Sequence, residues 1–227
     1  MLGVGIGLGI IALWIISTSA CLLFPFNFAC WYHYLLIFLQ THLYTGLFIT
    51  AHDAMHGIVA PASPQLNRWI GKIAACLFAF NSYEKMLPKH HAHHKFVGTT
   101  QDPDFHESQH FGKWYISFLL EYVSWKQVFL MAITYNILTY FFSEWNVFLF
   151  WMLPSLLSTL QLFYFGTYLP HRGEHEPNNI HKARSQKLHH FWAFVSCYFF
   201  GYHYEHHAFP HVPWWQLYRI KEMNGKN

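Results

Sequence analysis

Apolar residues occur along the chain in four long runs, and polar residues are concentrated between these runs. No Asp, Glu, Lys or Arg precedes Asp53, so residues 2–24 and 31–51 form two apolar runs with a short break between them. Two further runs occupy residues 127–142 and 147–169. Each run approaches the about 20 residues that cross a bilayer as a helix. The third is the shortest and is predicted to be tilted or to begin before Lys126. The pattern predicts an all-α integral membrane protein with four transmembrane helices.

The shorter apolar stretches predict surface helices, and the distribution of cations predicts the orientation in the membrane. Residues 70–80 and 191–201 are too short to span and are predicted to be helices at the membrane surface. All 14 Lys and Arg fall within residues 68–126 and 172–226. The positive-inside rule assigns both segments to the cytoplasm. Four spans also place the two segments on one side, so the charge bias and the span count agree.

Composition narrows the class of protein further. The chain has 227 residues, of which 53% are hydrophobic and 21% aromatic, and its net charge is only +3. So few cations do not make a nucleic-acid-binding groove, and we expect no nucleic-acid partner. The four cysteines form no C-x-x-C pair and no disulfide framework. No linker or internal repeat divides the chain, which predicts a single membrane domain over residues 1–227.

Histidine is the abnormal residue, with 19 copies against 11 carboxylates. Imidazole is the commonest transition-metal ligand, and three clusters have spacings that place two or three imidazoles on one helix face. A further histidine directly follows the fourth apolar run. Nine imidazoles exceed what one zinc ion takes and suit two metal ions, although spacing alone does not identify the metal. The candidate metal ligands are His52 and His56, then His90, His93 and His94, then His171, and finally His203, His206 and His207.

The remaining histidines and the nearby carboxylates have other expected roles. His33 and His42 lie inside an apolar run and are read as hydrogen-bonded core residues. Unpaired histidines are read as surface residues or as neighbours of the ligands; they are His91, His106, His110, His175, His181, His189, His190 and His211. Four carboxylates are candidates to accept the second ring N–H of a ligating histidine, the alternative being simple solvation. These are Asp53, Asp102, Asp104 and Glu205.

The three clusters have the forms H-x3-H, H-x2-HH and H-x2-HH, which resemble the histidine boxes of the membrane di-iron oxygenase and desaturase superfamily. Longer stretches are similar to the bacterial-type β-carotene ketolases. They are residues 43–56, 101–106, 154–172, 202–207 and 212–215. The chain departs from the family pattern in two places. Residues 174–190 are polar and carry additional histidines, and the chain begins almost inside its first span.

The resemblance implies oxidation of the C4 methylene of a β-ionone ring to a ketone, from β-carotene through echinenone to canthaxanthin. Two successive O2-dependent hydroxylations at one carbon give a geminal diol that loses water. The resemblance also implies two iron ions (Fe2+) held by the nine histidines, and electrons from a reductase chain such as ferredoxin. No catalytic residue beyond the metal ligands is expected. The substrate would come from the lipid bilayer, and the protein is expected in a bacterial cytoplasmic (inner) membrane with its metals on the cytoplasmic side.

Two kinds of alternative remain open. The boxes do not encode which carbon is oxidised, so a carotenoid 3-hydroxylase or a fatty acyl desaturase of the same superfamily would carry them too. A membrane metal-binding or transport protein is the alternative of another class. Such a protein would place ligands along a pathway through its spans, whereas these boxes lie at one membrane face.

Overall fold

A computed structural model of the protein describes residues 1–24 and 26–224. Pro25, in the break between the first two apolar runs, and Lys226, at the end of the second basic segment, lie outside the described residues. Within the described part the chain is helical and has no β-strand. The helices are α1 (Leu2–Leu23), α2 (Trp31–Met55), α3 (Pro64–Leu77), α4 (Tyr83–Phe96), α5 (Phe111–Tyr122), α6 (Trp125–Phe141), α7 (Glu144–His171), α8 (His190–Cys197), α9 (His203–Ala208) and α10 (Leu217–Asn224).

Three helices, α1, α2 and α7, are long and apolar enough to cross a membrane. The predicted third run is found as α6, which has 17 residues and begins at Trp125. It follows α5 after a bend of 86°, and the two together make a fourth candidate span. The bend falls at Ser124, whose hydroxyl caps α6 by accepting from the Gln127 amide. The structure therefore supports a membrane protein with three or four spans.

Asn146 joins the first and last long helices at one end of the molecule. Its side chain is 1% exposed, and its amide nitrogen donates to the carbonyls of Cys21 and Phe24, at the end of α1. Its carbonyl oxygen accepts from the Phe26 amide. Since the last carbonyls of a helix lack intrahelical partners, Asn146 satisfies groups that lipid could not. This contact fixes the start of α7 against the end of α1.

The two halves of the chain repeat one order of elements, which the sequence did not reveal. In each half a long helix with a candidate ligand in its last turn is followed by a short helix, then two consecutive left-handed residues, then a helix carrying an H-x2-HH box. The left-handed pairs are Ala79 with Phe80, and Tyr198 with Phe199. Non-glycine residues adopt this conformation at a cost, so packing must hold both turns. Each turn brings a box helix back towards the long helices.

The short helix α3 lies against α2 and ends at Leu77, three residues before the predicted limit. Its buried face includes Ile70 and Ala74, and Gly71 is the point of closest approach. A Cβ atom at Gly71 would lie 2.7 Å from the Ala54 Cβ and would also collide with the ring of Tyr83. Only glycine fits this contact.

We expect Gly71→Ala to destabilise the protein by about 1–3 kcal/mol, because the added methyl group overpacks the contact between α3 and α2. Thermal unfolding in detergent, followed by circular dichroism, measures the loss. Gly9→Ala is the matched control, since a Cβ at Gly9 meets nothing within 4 Å. Equal unfolding temperatures for the two variants would contradict the close approach.

Candidate metal centre

Four helices bring the predicted ligands to one place. The first box ends α2, with His52 and His56 separated by one helical turn. The second box forms the last two turns of α4, and the third box forms most of α9. His171 is the last residue of α7 and lies three residues after the end of a π-helical stretch, Phe163–Tyr168. Wide turns of this kind are frequent at functional sites because they reset the direction of the following side chains.

The candidate ligands assemble into two groups, and within each group the ligand atoms lie within 4.8 Å of one another. Five histidines form the first group, which we call the five-histidine group: His52, His56, His90, His94 and His206. Four buried histidines form the second, which we call the four-histidine group: His93, His171, His203 and His207. All nine predicted residues therefore lie in one of the two groups.

One pair of ring nitrogens in each group has a spacing that suits metal binding. The Nε2 atoms of His94 and His206 are 3.0 Å apart, and those of His203 and His207 are 3.1 Å apart. Two nitrogens bound to one first-row metal at about 2.1 Å lie about 3.0–3.4 Å apart, depending on the angle between the bonds. The donor set thus fits one metal ion in each group.

The hydrogen bonds of His93 and His171 show which ring nitrogen is available to bind a metal. The Nδ1 atom of His93 donates to the Asp102 carboxylate at 2.9 Å, and that of His171 donates to the Lys182 carbonyl at 2.8 Å. The Nε2 atoms of both rings are buried and have no hydrogen-bond partner among the described residues. A ligating histidine has this arrangement, since a partner on one nitrogen fixes the tautomer and aims the lone pair of the other.

The carboxylate of Asp102 is itself held by the backbone. It accepts hydrogen bonds from the amides of Gly98 and Asp104, both at 2.9 Å. Burial opposes its ionisation, but the His93 ring and these two amides outweigh burial and lower the pKa of Asp102. Asp102 therefore remains an anion facing His93, as the sequence suggested.

The other three carboxylates behave differently from one another. Asp53 Oδ1 lies 3.4 Å from His52 Nδ1, a long contact, while its Oδ2 accepts from the Trp214 amide. Asp104 is 3.8 Å from His93 Nδ1, too far for a hydrogen bond, and accepts from the Tyr122 hydroxyl. Glu205 accepts from Ser185 and Lys221 instead of a ligating ring. The expected contact with a ligand histidine is thus wrong for Glu205 and indirect for Asp104.

Burial keeps most of the box histidines uncharged. It is the main cause that lowers the pKa of His56 to about 4 and that of His94 to about 2. Burial and neighbouring imidazoles also hold four other pKa values well below the ordinary range, those of His90, His203, His206 and His207. Neutral imidazole is the form that binds metal, so the surroundings favour the ligating state.

His93 is the exception. Burial disfavours its charged form, but the charges of Asp104 and Asp102 outweigh burial and raise its pKa. The same two carboxylates increase the basicity of the ring, which strengthens a histidine as a metal ligand.

Each group contains one histidine from a box helix whose other histidines belong to the other group. Helices α2 and α4 supply four members of the five-histidine group, and α9 supplies His206. Helices α7 and α9 supply three members of the four-histidine group, and α4 supplies His93. In each H-x2-HH box the middle histidine therefore belongs to the group built mainly by the other half. Neither group is complete without both halves.

An apolar cavity ends on these histidines. It lies between α2, α4, α5 and α7, and members of both groups line it. Most of its wall is hydrocarbon or aromatic, including Phe48, Phe78, Phe118, Leu162 and Phe200. Such a cavity accepts an apolar molecule and brings it beside the metal positions.

The remaining sequence assignments have mixed outcomes. His33 shares a hydrogen bond with Asn27, whereas His42 makes none among the described residues and packs against Tyr198 at 4.2 Å. The unpaired histidines also lie outside both groups. The Lys182 carbonyl, which accepts from His171, and the Gly98 amide, which donates to Asp102, could not be predicted from the sequence. Any residue type can supply a backbone carbonyl or amide. The hydrogen bonds from Ser185 and Lys221 to Glu205 could not be predicted either, because neither residue lies near a box in sequence.

We expect the metal-free protein to lose stability as the pH falls from about 7 to about 5. The folded-state pKa values of these histidines are lowered, so their contribution is complete above the unfolded value of about 6.5 and is lost below it. Each additional proton bound by the unfolded chain costs about 1.4 kcal/mol per pH unit. Unfolding measured at several pH values gives this slope.

Two variants test the origin of the slope. His206→Ala removes a buried imidazole and should make the slope shallower, whereas His211→Ala removes an exposed one and should leave it unchanged. A metal-free protein equally stable at pH 7.5 and 5.5 would contradict the assignment.

Comparison with known proteins identifies a family and several relatives that this chain resembles in sequence. The family model described as fatty acid desaturase matches residues 29–135 and 111–226. A β-carotene ketolase of Paracoccus sp. (strain PC1) is 41% identical over 191 residues, covering 82% of this chain and 78% of the relative. A β-carotene ketolase of Paracoccus sp. (strain N81106 / MBIC 01143) is 43% identical over 182 residues, covering 78% and 74%.

A longer algal relative is also similar. A zeaxanthin 4-ketolase of Chlamydomonas reinhardtii is 36% identical over 187 residues, covering 80% of this chain and 42% of the relative. No solved structure gives a significant match.

Proposed function

This chain belongs to the fatty acid desaturase family, and we propose that it acts within that family as a β-carotene ketolase. The reaction converts the C4 methylene of a β-ionone ring to a ketone. The curated ketolases that it resembles supply the reaction type, and the structure supplies a site suited to it. The observation that carries the proposal is the apolar cavity that ends on histidines of both groups.

The nine histidines are proposed to hold two iron ions, one in each group. The buried Nε2 atoms of His52, His93 and His171, which have no hydrogen-bond partner in the described part of the chain, support this assignment. When bound, the irons would supply O2-dependent oxidation, with electrons from a donor protein. The chain's part is to keep the imidazoles neutral, to fix their tautomers through Asp102 and Lys182, and to exclude water with apolar walls.

We propose a route from the bilayer into the cavity. A groove on the outside of the protein shares five lining residues with the cavity: Asn81, Met86, Tyr122, Val123 and Gln127. The groove lies beside the bend between α5 and α6, and its outer wall includes the charged residues Lys85 and Glu121. An apolar chain in the lipid could thus pass the bend and place its ring between the two histidine groups.

The orientation in the membrane follows from the cations. We propose four spans, with the bent pair of α5 and α6 forming the third, and a single membrane domain. The positive-inside rule then puts the boxes on the cytoplasmic side of a bacterial inner membrane. That position gives a soluble electron donor access to the metal centre.

Expression in bacteria that accumulate β-carotene tests the function directly. We expect echinenone and canthaxanthin in extracted pigments, identified by chromatography with mass spectrometry. His206→Ala should abolish both products and reduce bound iron, whereas His211→Ala should leave both unchanged. Hydroxylated pigments would indicate a 3-hydroxylase, and unchanged β-carotene with well-expressed, iron-loaded protein would direct the search to fatty acyl substrates.

A pair of matched variants tests the route through the bend. Val123 lines both the cavity and the groove, so Val123→Trp should narrow the passage and lower ketolation at least tenfold while iron content is retained. Val128→Trp places the same side chain on an exposed position of α6, away from the cavity, and should keep full activity. Full activity of Val123→Trp in pigment assays would exclude this route.

A further inference from the structure

The polar stretch between α7 and α8, residues 172–189, contains a short segment that contacts the four-histidine group from outside. The segment consists of residues 182–186. Its backbone returns to the end of α7, where the Arg184 amide donates to the Pro170 carbonyl at 2.9 Å. Two residues earlier, the Lys182 carbonyl accepts the hydrogen bond from His171 Nδ1. His171 therefore takes its orientation from this segment.

The same segment is attached to the third box. The Ser185 hydroxyl donates to Glu205, which sits inside the box on α9. The Gln186 amide donates to the Gly201 carbonyl at 2.7 Å, two residues before His203. Residues 182–186 thus connect the end of α7 to the helix that supplies His203 and His207.

Lys182 extends these contacts to the fourth ligand of the group. Its ammonium donates to the Gly98 carbonyl at 3.3 Å. The Gly98 amide in turn donates to Asp102, which accepts from His93. One residue therefore touches the supports of both His171 and His93.

Arg184 closes the turn that makes this arrangement possible. Its guanidinium donates to the carbonyls of Arg172 and Glu174, which follow directly after α7. Gly173 lies between them with φ of +74°, a conformation that brings both carbonyls to one side. A planar guanidinium can bind two carbonyls at once, whereas the single ammonium of lysine is not preorganised to do so.

We propose that Arg184 is a positioning residue for His171, and through it for the metal ion of the four-histidine group. By closing the turn after α7, Arg184 fixes the Lys182 carbonyl that sets the tautomer and direction of the His171 ring. This inference rests on the proposed metal centre. Arg184 is assigned only to the metal position of the four-histidine group, because the contacts of Arg184 among the described residues do not reach the five-histidine group.

Iron binding by the purified full-length protein tests the proposal without reference to ketolation. Fe(II) enriched in 57Fe is added at graded free concentrations, bound iron is counted by mass spectrometry, and the occupied positions are distinguished by Mössbauer spectra. Wild-type protein should bind two irons. Arg184→Ala should keep one iron at wild-type affinity and bind the other about 10–100-fold more weakly. Arg184→Lys should lose the same iron, since charge alone does not replace the two-carbonyl contact.

Three further variants separate positioning from folding. His171→Ala should lose the same iron as Arg184→Ala, and the double variant should show no additional loss, because Arg184 acts through His171. Lys187→Ala, an exposed cation of the same stretch, is the matched control and should bind two irons normally.

Three results would overturn the proposal. Arg184→Ala could bind both irons with wild-type affinity, it could weaken both equally, or the double variant could lose more iron than His171→Ala. Wild-type protein that binds fewer than two irons would instead reject the proposed metal centre, and this inference with it.

Discussion

The structure depends on keeping several imidazoles neutral, buried and close together. A buried imidazole without a hydrogen bond or a metal on its nitrogens is costly, and clustering makes protonation of any one of them costlier still. In the four-histidine group, outside partners on Nδ1 offset part of this cost for His93 and His171. The two Nδ1 atoms of His203 and His207 have no partner among the described residues. Metal binding at the Nε2 atoms of these rings would stabilise the folded protein, which couples metal binding to folding.

His93 and His206 tie both metal positions to the same two box helices, α4 and α9. Each of these residues belongs to a box helix of one half, but its side chain lies in the group formed mainly by the other half. Displacing α9 would therefore remove a ligand from both groups, and so would displacing α4. A change confined to one support, such as that of His171 on α7, displaces neither of these shared helices and therefore affects one group alone.

The sequence predicted the chemistry better than the architecture. Helical spacing within each box depends only on local geometry, so the shared faces of His90, His93 and His94 could be predicted from the pattern. The division into five and four ligands depends on how α4 and α9 cross, which no local pattern encodes. The short third run led to an incomplete prediction for the same reason. Helix α5 precedes the bend at Ser124 and contains Lys113 and Glu121, so the pattern of long apolar runs did not include it.

Polar contacts between the long helices set the positions of the candidate metal ligands. In lipid, helix association is not driven by the hydrophobic effect, so buried hydrogen bonds and close packing decide the register. Thr45 on α2 contacts Ser158 and Gln161 on α7, and Gln161 donates to the Ser196 carbonyl at the end of α8. Thr45 lies two helical turns before His52, and Gln161 lies nearly three turns before His171. A slip of either helix by one turn would break these contacts and move its histidine by about 5.4 Å, more than the 4.8 Å within which each group's ligand atoms fall. The register of the two long helices is thus tied to the geometry of the metal centre.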